Sequence, residues 1–227
     1  MTPLVTVVIP VLDRARCIGD AIASVLAQTG PELEVVVVDD GSTDGTPEVV
    51  RELAGADRRV RLVERPHGGP SAARNEGSRQ ASAPLVTFLD SDDLMPPGRM
   101  ARQVALLDEL DVDGVHGRYE SAVMDGVVLP QWLQDRPDWL RGWDLTAVLV
   151  RRGALDDVGG FDEELRLGED LDLIVRLREG GWSVAAADEV FVIKRWFGDN
   201  LTYELDATGP ALSQVLRRHM ARARPPR

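Results

Sequence analysis

A single cysteine, Cys17, stands in the 227 residues. No internal disulfide can form and no cysteine-based zinc pattern exists; the thiol reads as a small core residue in a helical stretch. No apolar run approaches the roughly 20 residues of a membrane span, and the first residues lack the basic start and cleavage site of a secretory leader. These absences predict a soluble, cytoplasmic protein with no transmembrane segment. Positive charge is short as well. Lys and Arg number 26 against 38 Asp and Glu, a formal net charge of −12, which argues against nucleic-acid binding because phosphate backbones are held by basic surfaces. One phosphorylated small molecule is not excluded, since a divalent metal brings its own local positive charge. Internal repeats are missing, and so is any composition shift that would mark a linker. One domain is expected, and 44% hydrophobic residues supply a sizeable core.

What is present is an alternation. Leu4 to Ile9 is a continuous apolar strand stopped by Pro10, and Ile18, Ala21, Ile22, Val25 and Leu26 then recur at the spacing of a one-faced helix. Glu34 to Val38 is a second strand, Thr46 to Leu53 a helix with Pro47 in its first turn, Val60 to Val63 a third strand and Ser71 to Gln80 another helix. Leu85 to Leu89 is the fourth strand. Strands that are nearly all apolar, alternating with helices, imply a parallel sheet covered on both faces. The second half is less regular: a helix over Pro97 to Leu110, short strands within Asp113 to Val128, a Trp- and Pro-bearing stretch from Pro130 to Trp143, and a strand over Leu145 to Val150. A helix over Glu169 to Glu179 and two late strands, Val184 to Ala187 and Val190 to Lys194, joined by a short turn, complete the reading.

Three strand ends carry polar or acidic clusters: Pro10 to Asp13, Asp39 to Asp44, and Asp90 to Asp93. In parallel sheets ligands bind beyond the carboxyl ends of strands, so one shared cleft is expected. Side chains alternate along an extended chain, so Asp90 and Asp92 project together while Ser91 projects the other way. Two carboxylates on one side suit a hard divalent cation; the plainer role for the same residues is a solvated turn before Pro96 and Pro97.

The ordered series Thr6-Val7-Val8-Ile9-Pro10, Val38-Asp39-Asp40-Gly41-Ser42-Thr43-Asp44, Ala73-Arg74-Asn75-Glu76-Gly77, Phe88-Leu89-Asp90-Ser91-Asp92-Asp93, Val158-Gly159-Gly160-Phe161-Asp162-Glu163 and Glu169-Asp170-Leu171-Asp172-Leu173 resembles the family 2 glycosyltransferases. The resemblance spans nearly the whole chain. It implies the GT-A fold, an α/β single-domain Rossmann-like mixed sheet with helices on both faces. Residues 1–95 would form the nucleotide-sugar-binding half, 96–205 the acceptor-binding and catalytic half, and 206–227 a basic tail. It also implies an inverting transfer from a nucleotide-diphosphate sugar, expected to be a UDP-sugar, to an acceptor the sequence does not identify, with Mn2+ or Mg2+ as cofactor.

Residue by residue, the resemblance implies that Asp92 is the main metal ligand and that Asp90 binds the metal through water or the ribose, with Ser91 between them in the donor site. Asp39 or Asp40 would accept the ring N–H of the base while the other caps the turn. Pro10 and Val11 would lie beside the base. Arg74 would face the nucleotide or the aspartates, or serve as a structural partner for a carboxylate. Asn75 and Gly77 are assigned to local packing. Asp170 would be the general base, with Glu169 orienting it or touching the acceptor; acidic residues opening a helix also suit its dipole.

One departure concerns the stretch after Lys194, where relatives commonly place a histidine that reaches the metal or diphosphate. Here Phe197 or Trp196 stands at that position; Lys194 and Arg195 could contact phosphate instead, exposed strand-end charges being the plainer reading. The Gln-x-x-Arg-Trp pattern of processive members is incomplete, with Val192 in the glutamine position. Trp132, Trp139 and Trp143 are candidates for a sugar-stacking wall, a core role being the safer assumption for at least half of the five Trp. Two other classes compete. A sugar-phosphate nucleotidyltransferase would need a glycine- and lysine-rich phosphate loop where Pro10-Val11-Leu12-Asp13 stands. An inactive GT-A nucleotide-sugar-binding protein would not need Asp90, Asp92 and Asp170 intact. The arginine-rich tail reads as a helix packed on the body; docking on a second subunit as a homodimer, or peripherally on a membrane, is the sharper alternative.

Overall fold

The computed structural model describes residues 4–135, 143–200 and 208–222. Seven strands form one sheet: β1 (Val5–Val11), β2 (Leu33–Asp39), β3 (Val60–Glu64), β4 (Leu85–Phe88), β5 (Gly114–Val123), β6 (Trp143–Arg151) and β7 (Val184–Trp196), in the order β3-β2-β1-β4-β6-β5-β7. Its first four strands are parallel, as the apolar runs require. β6 runs antiparallel to both β4 and β5, while β5 and β7 are parallel, so the sheet is mixed.

Period-2 alternation divides β1 between two cores. Val5, Val7, Ile9 and Val11 face one side, with α1 (Ile18–Leu26), α2 (Thr46–Ala56) and α4 (Arg99–Leu110). Val8 faces the other, with α3 (Pro70–Gln80), α6 (Arg152–Val158) and α7 (Glu169–Glu179); α5 (Gln131–Gln134) and α8 (Thr208–Arg222) complete the helices. α3 is built mainly of small buried residues. At Gly77 a Cβ would lie 2.3 Å from Val8 Cγ1, so only glycine lets this helix sit so deep against the sheet.

β4 pairs with β6 only at Leu85–Arg151 and Val86–Val150. Beyond that the strands splay, and two buried side chains of α4 fill the gap. Arg99 Nη2 donates to the carbonyls of Phe88 at 3.2 Å and Ala147 at 3.1 Å, and Gln103 Nε2 donates to Ala147 O at 3.0 Å and Val115 O at 3.2 Å.

Several boundaries differ from the expected ones. The two late strands are one continuous strand, β7, because register shifts against β5 near Arg118 absorb the polar Asp188-Glu189 step. The short strands expected within Asp113 to Val128 are the single strand β5. Cys17 precedes α1 rather than lying inside it, and it is buried. Trp139 lies outside the described residues, as do the side chains of Trp132 and Trp143, so the proposed stacking wall lies there too. Trp196 is a core residue, 2% exposed. The tail helix α8 packs on the body, with Val215 buried. Two of its arginines are engaged with the body: Arg218 pairs with Asp162 and Glu164, and Arg222 with Asp172 and Glu179, while Arg217 is exposed.

Candidate active site

The carboxyl ends of β1, β2 and β4 open onto a cleft of about 510 Å3, closed on the far side by the first residues of α7 and the end of β7. Pro10, Val11, Asp40, Arg74, Asp90, Ser91, Asp92, Glu169 and Asp170 all line it. Asp39 alone among the expected site residues does not.

The loops after β1 and β2 hold each other. Asp13, in the left-handed region at φ 50°, accepts the Thr43 N–H at 2.7 Å, and its own N–H donates to Ser42 Oγ at 2.9 Å. Asp39 caps the second loop, with Oδ1 accepting the N–H groups of Gly41 at 3.1 Å and Ser42 at 2.9 Å. Its Oδ2 is buried with no partner among the described residues. Asp40 reaches the cleft wall, where it takes Arg65 at 2.7 Å, the Gly68 and Gly69 N–H groups and His67 Nδ1 at 2.8 Å.

Arg74 is 4% exposed and joins the two ends of the cleft. Its Nη2 donates to Asp90 Oδ1 at 2.8 Å and its Nη1 to Glu169 Oε1 at 2.9 Å. The next residue, Asn75, ties down the loop that leads to α7: its amide donates to Phe161 O at 2.9 Å and accepts the Phe161 N–H at 2.7 Å. Burial works against the charge on Asp90, but Arg74 and Lys194 outweigh it and hold the carboxyl below its usual range. Burial, then the charge of Asp90, push Asp92 the other way. Asp93 is 1% exposed, and burial raises it well above the carboxylate range.

No three His, Cys, Asp or Glu side chains converge as a metal cage among the described residues. Two carboxylates open to a cleft fit a different mode, that of a hard cation which draws its remaining oxygens from ligand and water. Asp90 and Asp92, both lining the cleft, are the pair that could hold one.

Lys194 and Arg195 are not exposed strand-end charges. A two-way backbone bridge between Leu94 and Ile193, at 3.0 and 2.9 Å, pulls β7 beneath the aspartate loop and carries both side chains inward. Arg195 is 5% exposed; it donates to Asp92 O at 2.6 Å, Asp20 at 2.8 Å and Cys17 O at 3.3 Å. Phe197 lies between the guanidinium groups of Arg16 and Arg195, 4.9 and 5.1 Å from its centroid, and serves packing. The polar contact to the aspartates comes instead from Asn200, whose Nδ2 donates to Asp92 Oδ2 at 3.0 Å and to Arg195 O at 2.8 Å. Sequence reading missed Asn200, along with Arg14, whose Nε lies 3.9 Å from the same Asp92 oxygen. The only signal for Asn200 was its place just past a strand end.

Asp170 opens α7 after Gly168, which takes φ 74°. One oxygen accepts the Leu171 N–H at 2.7 Å. Burial, then the negative charge of Glu169, push its carboxyl up to about 6. Such a group is ionised at neutral pH yet basic enough to take a proton.

This combination of a half-parallel, half-mixed sheet with an acidic cleft across the parallel strand ends is the GT-A fold. The chain is similar to S. aureus TarS in complex with UDP-GlcNAc, with TM-score 0.73 and 22% identity over 96% of this chain and 65% of that one. It is also similar to the mannosyltransferase PcManGT of Pyrobaculum calidifontis in complex with GDP-Man and Mn2+, with TM-score 0.68 and 24% identity over 98% and 64%. In sequence it is 35% identical to the succinoglycan biosynthesis protein ExoO of Rhizobium meliloti, over 76% of this chain and 55% of that protein. It is 31% identical to the glycosyltransferase AglE of Haloferax volcanii, over 83% and 66%. The chain thus spans between about half and two-thirds of these relatives' length. The glycosyl transferase family 2 model matches residues 6–158, and the chain belongs to that family.

Proposed function

We propose that the chain transfers a sugar from a nucleoside-diphosphate sugar to an acceptor hydroxyl with inversion, and that the donor is a UDP-sugar. The observation that carries this reading is the Arg74 bridge, which fixes the aspartate pair and the Glu169-Asp170 pair at opposite walls of one cleft. Asp170 is the general base: its carboxylate takes the acceptor's proton as the acceptor oxygen bonds to the anomeric carbon, and the bond to the departing diphosphate breaks on the opposite face. Glu169, held by Arg74, positions it. Asp40 faces the base, Pro10 and Val11 flank it, and Ser91 lies at the ribose. Asp90 and Asp92 would hold Mn2+ or Mg2+, which when bound neutralises charge on the diphosphate.

The two neighbours recorded with UDP-GlcNAc and with GDP-Man and Mn2+ support a nucleotide-sugar donor and a divalent cation. A thermal-shift screen of nucleotide sugars with manganese tests the assignment. UDP-sugars are expected to raise the melting temperature more than GDP-sugars, and to be slowly hydrolysed only when metal is present. Stabilisation by GDP-sugars alone would overturn the choice of nucleotide, and failure of every nucleotide sugar would overturn the donor class.

A further inference from the structure

We propose that Lys194 is a resident phosphate contact, its ammonium meeting the donor's diphosphate from the sheet side of the cleft, so that nucleotide binding persists, weakened, without a divalent cation. The inference rests on the donor class argued above and assigns a residue which that reading leaves unused.

Lys194 sits two residues from the end of β7 and lines the cleft with Asp90 and Asp92. Its side chain is 19% exposed, and the nearest carboxylate oxygen, Asp93 Oδ2, is 3.8 Å from Nζ. That is beyond hydrogen-bond reach. An ammonium carries three donors and no acceptor, and Lys194 makes no hydrogen bond among the described residues. A largely buried cation with unmet donors is costly unless a ligand or water completes it. The Trp196 ring lies on one flank, its centroid 5.7 Å from Nζ, which narrows the directions open to the ammonium.

The other basic groups of the cleft wall are engaged or solvated. Arg74 is committed to Asp90 and Glu169, and Arg14 donates to the backbone of Asp13 at 3.1 Å and of Asp199 at 3.4 Å. His67 is held by Asp40. Arg166 makes no ion pair among the described residues, but it is exposed at the rim, where water solvates it. Arg74 keeps one buried donor without a partner among the described residues, Nε, but both of its Nη groups are spent on carboxylates, whereas Lys194 has none of its donors hydrogen-bonded among them and lines the cleft with the aspartate pair. A diphosphate that reaches a cation between Asp90 and Asp92 comes within range of the same ammonium, which supplies a compact point charge for phosphate.

The test is calorimetric titration of the full chain with UDP and with uridine, in chelator and again with Mn2+, with GDP and guanosine as a second pair. In chelator the wild type is expected to bind the diphosphate more tightly than its nucleoside. Lys194→Met should lose about 10–100-fold in diphosphate affinity, the range for a charge-assisted hydrogen bond, with nucleoside affinity unchanged; Lys194→Arg should recover part of the loss. Because Lys194→Met leaves Asp93 without its neighbour, the double variant Lys194→Met/Asp93→Asn repeats the comparison without that stranded carboxylate. Unchanged diphosphate affinity in both variants overturns the inference. An equal fall for diphosphate and nucleoside does the same, and so does a wild type that shows no preference for the diphosphate in chelator. Mn2+-dependent binding that ignores Lys194 would leave the donor reading standing. Failure of both nucleotide pairs even with Mn2+ would remove the donor reading and this inference together.

Discussion

Arg74 donates to Glu169 across 95 positions of sequence, at 2.9 Å, while its second arm holds Asp90. The two carboxylates belong to opposite walls of the cleft, so one guanidinium sets the distance between them. Arg74→Met strands two partly buried charges, and breaking such a pair costs about 3–5 kcal/mol when burial is complete. Asp90 is 30% exposed, so a loss nearer the lower end is expected, with a fall in transfer larger than the fall in donor affinity. Arg74→Lys keeps the charge but not the fork, and should restore stability more than activity. Melting curves and kcat/KM on the two variants check this.

The pH dependence follows from Asp170, whose carboxyl titrates at about 6. As the proposed base, Asp170 would have to be ionised, so kcat/KM should fall about tenfold per pH unit below that value and level above it. Stability runs oppositely. The folded pKa exceeds the unfolded value of about 3.9, so the native state binds the extra proton and stability declines as pH rises from about 4 to about 6. Asp170→Asn removes that penalty. It should bind donor, lose transfer by about 10²–10⁴-fold, and melt higher than wild type at pH 7 with no advantage at pH 4.

Asp92 and Asp93 are neighbours with different expected consequences. Asp93 is buried and its Oδ1 accepts the Arg195 N–H at 2.9 Å, a bond that Asn preserves. Asp92 faces the cleft, and the proposed function gives it the cation. Asp92→Asn is expected to cost about 10²-fold or more in transfer, the few kcal/mol a metal contributes to the transition state, whereas Asp93→Asn should cost less than about tenfold. Manganese titration of both variants should show weaker binding only for Asp92→Asn.

Removing residues 212–227 takes away Arg218 and Arg222. Asp172 has no exposed side-chain surface; it keeps Arg176 at 2.6 Å but loses Arg222 at 3.3 Å. The truncated protein should be less stable by about 1–3 kcal/mol, the scale of a charged hydrogen bond, and should melt several degrees lower. Its transfer rate should fall as well, because Asp172 lies one residue beyond Leu171, whose N–H braces Asp170. Unchanged melting would mean that α8 contributes nothing to α7.

The parallel half was legible because β1, β2 and β4 are buried on both faces, and continuous Val-rich runs have few other uses. β7 was split in the sequence reading because Asp188 and Glu189 interrupt its apolar pattern where the strand shifts register. The direction of β6 was not legible, since a strand's composition does not encode which way its neighbour runs. In the site, acidic residues clustered within one loop, such as Asp90 and Asp92, were readable. Asn200 was not, and Lys194 was readable as a possible phosphate contact but not as an inward-facing one, because what joins both to those aspartates is the Leu94–Ile193 bridge, which neither residue advertises.

The missing side chain at Gly77 has a reach beyond packing. One turn of α3 separates it from Arg74, and a methyl there would meet Val8 at 2.3 Å and Val38 at 3.1 Å. The sheet is the stiffer partner, so Gly77→Ala must lift the helix, and the guanidinium one turn away is carried with it. The first property to change would be the field in the cleft: Asp90 and Glu169 would lose contact with their shared cation while every charged residue of the site remained in the sequence. A titration of Asp170 in Gly77→Ala, compared with wild type, would register a purely steric substitution as an electrostatic one.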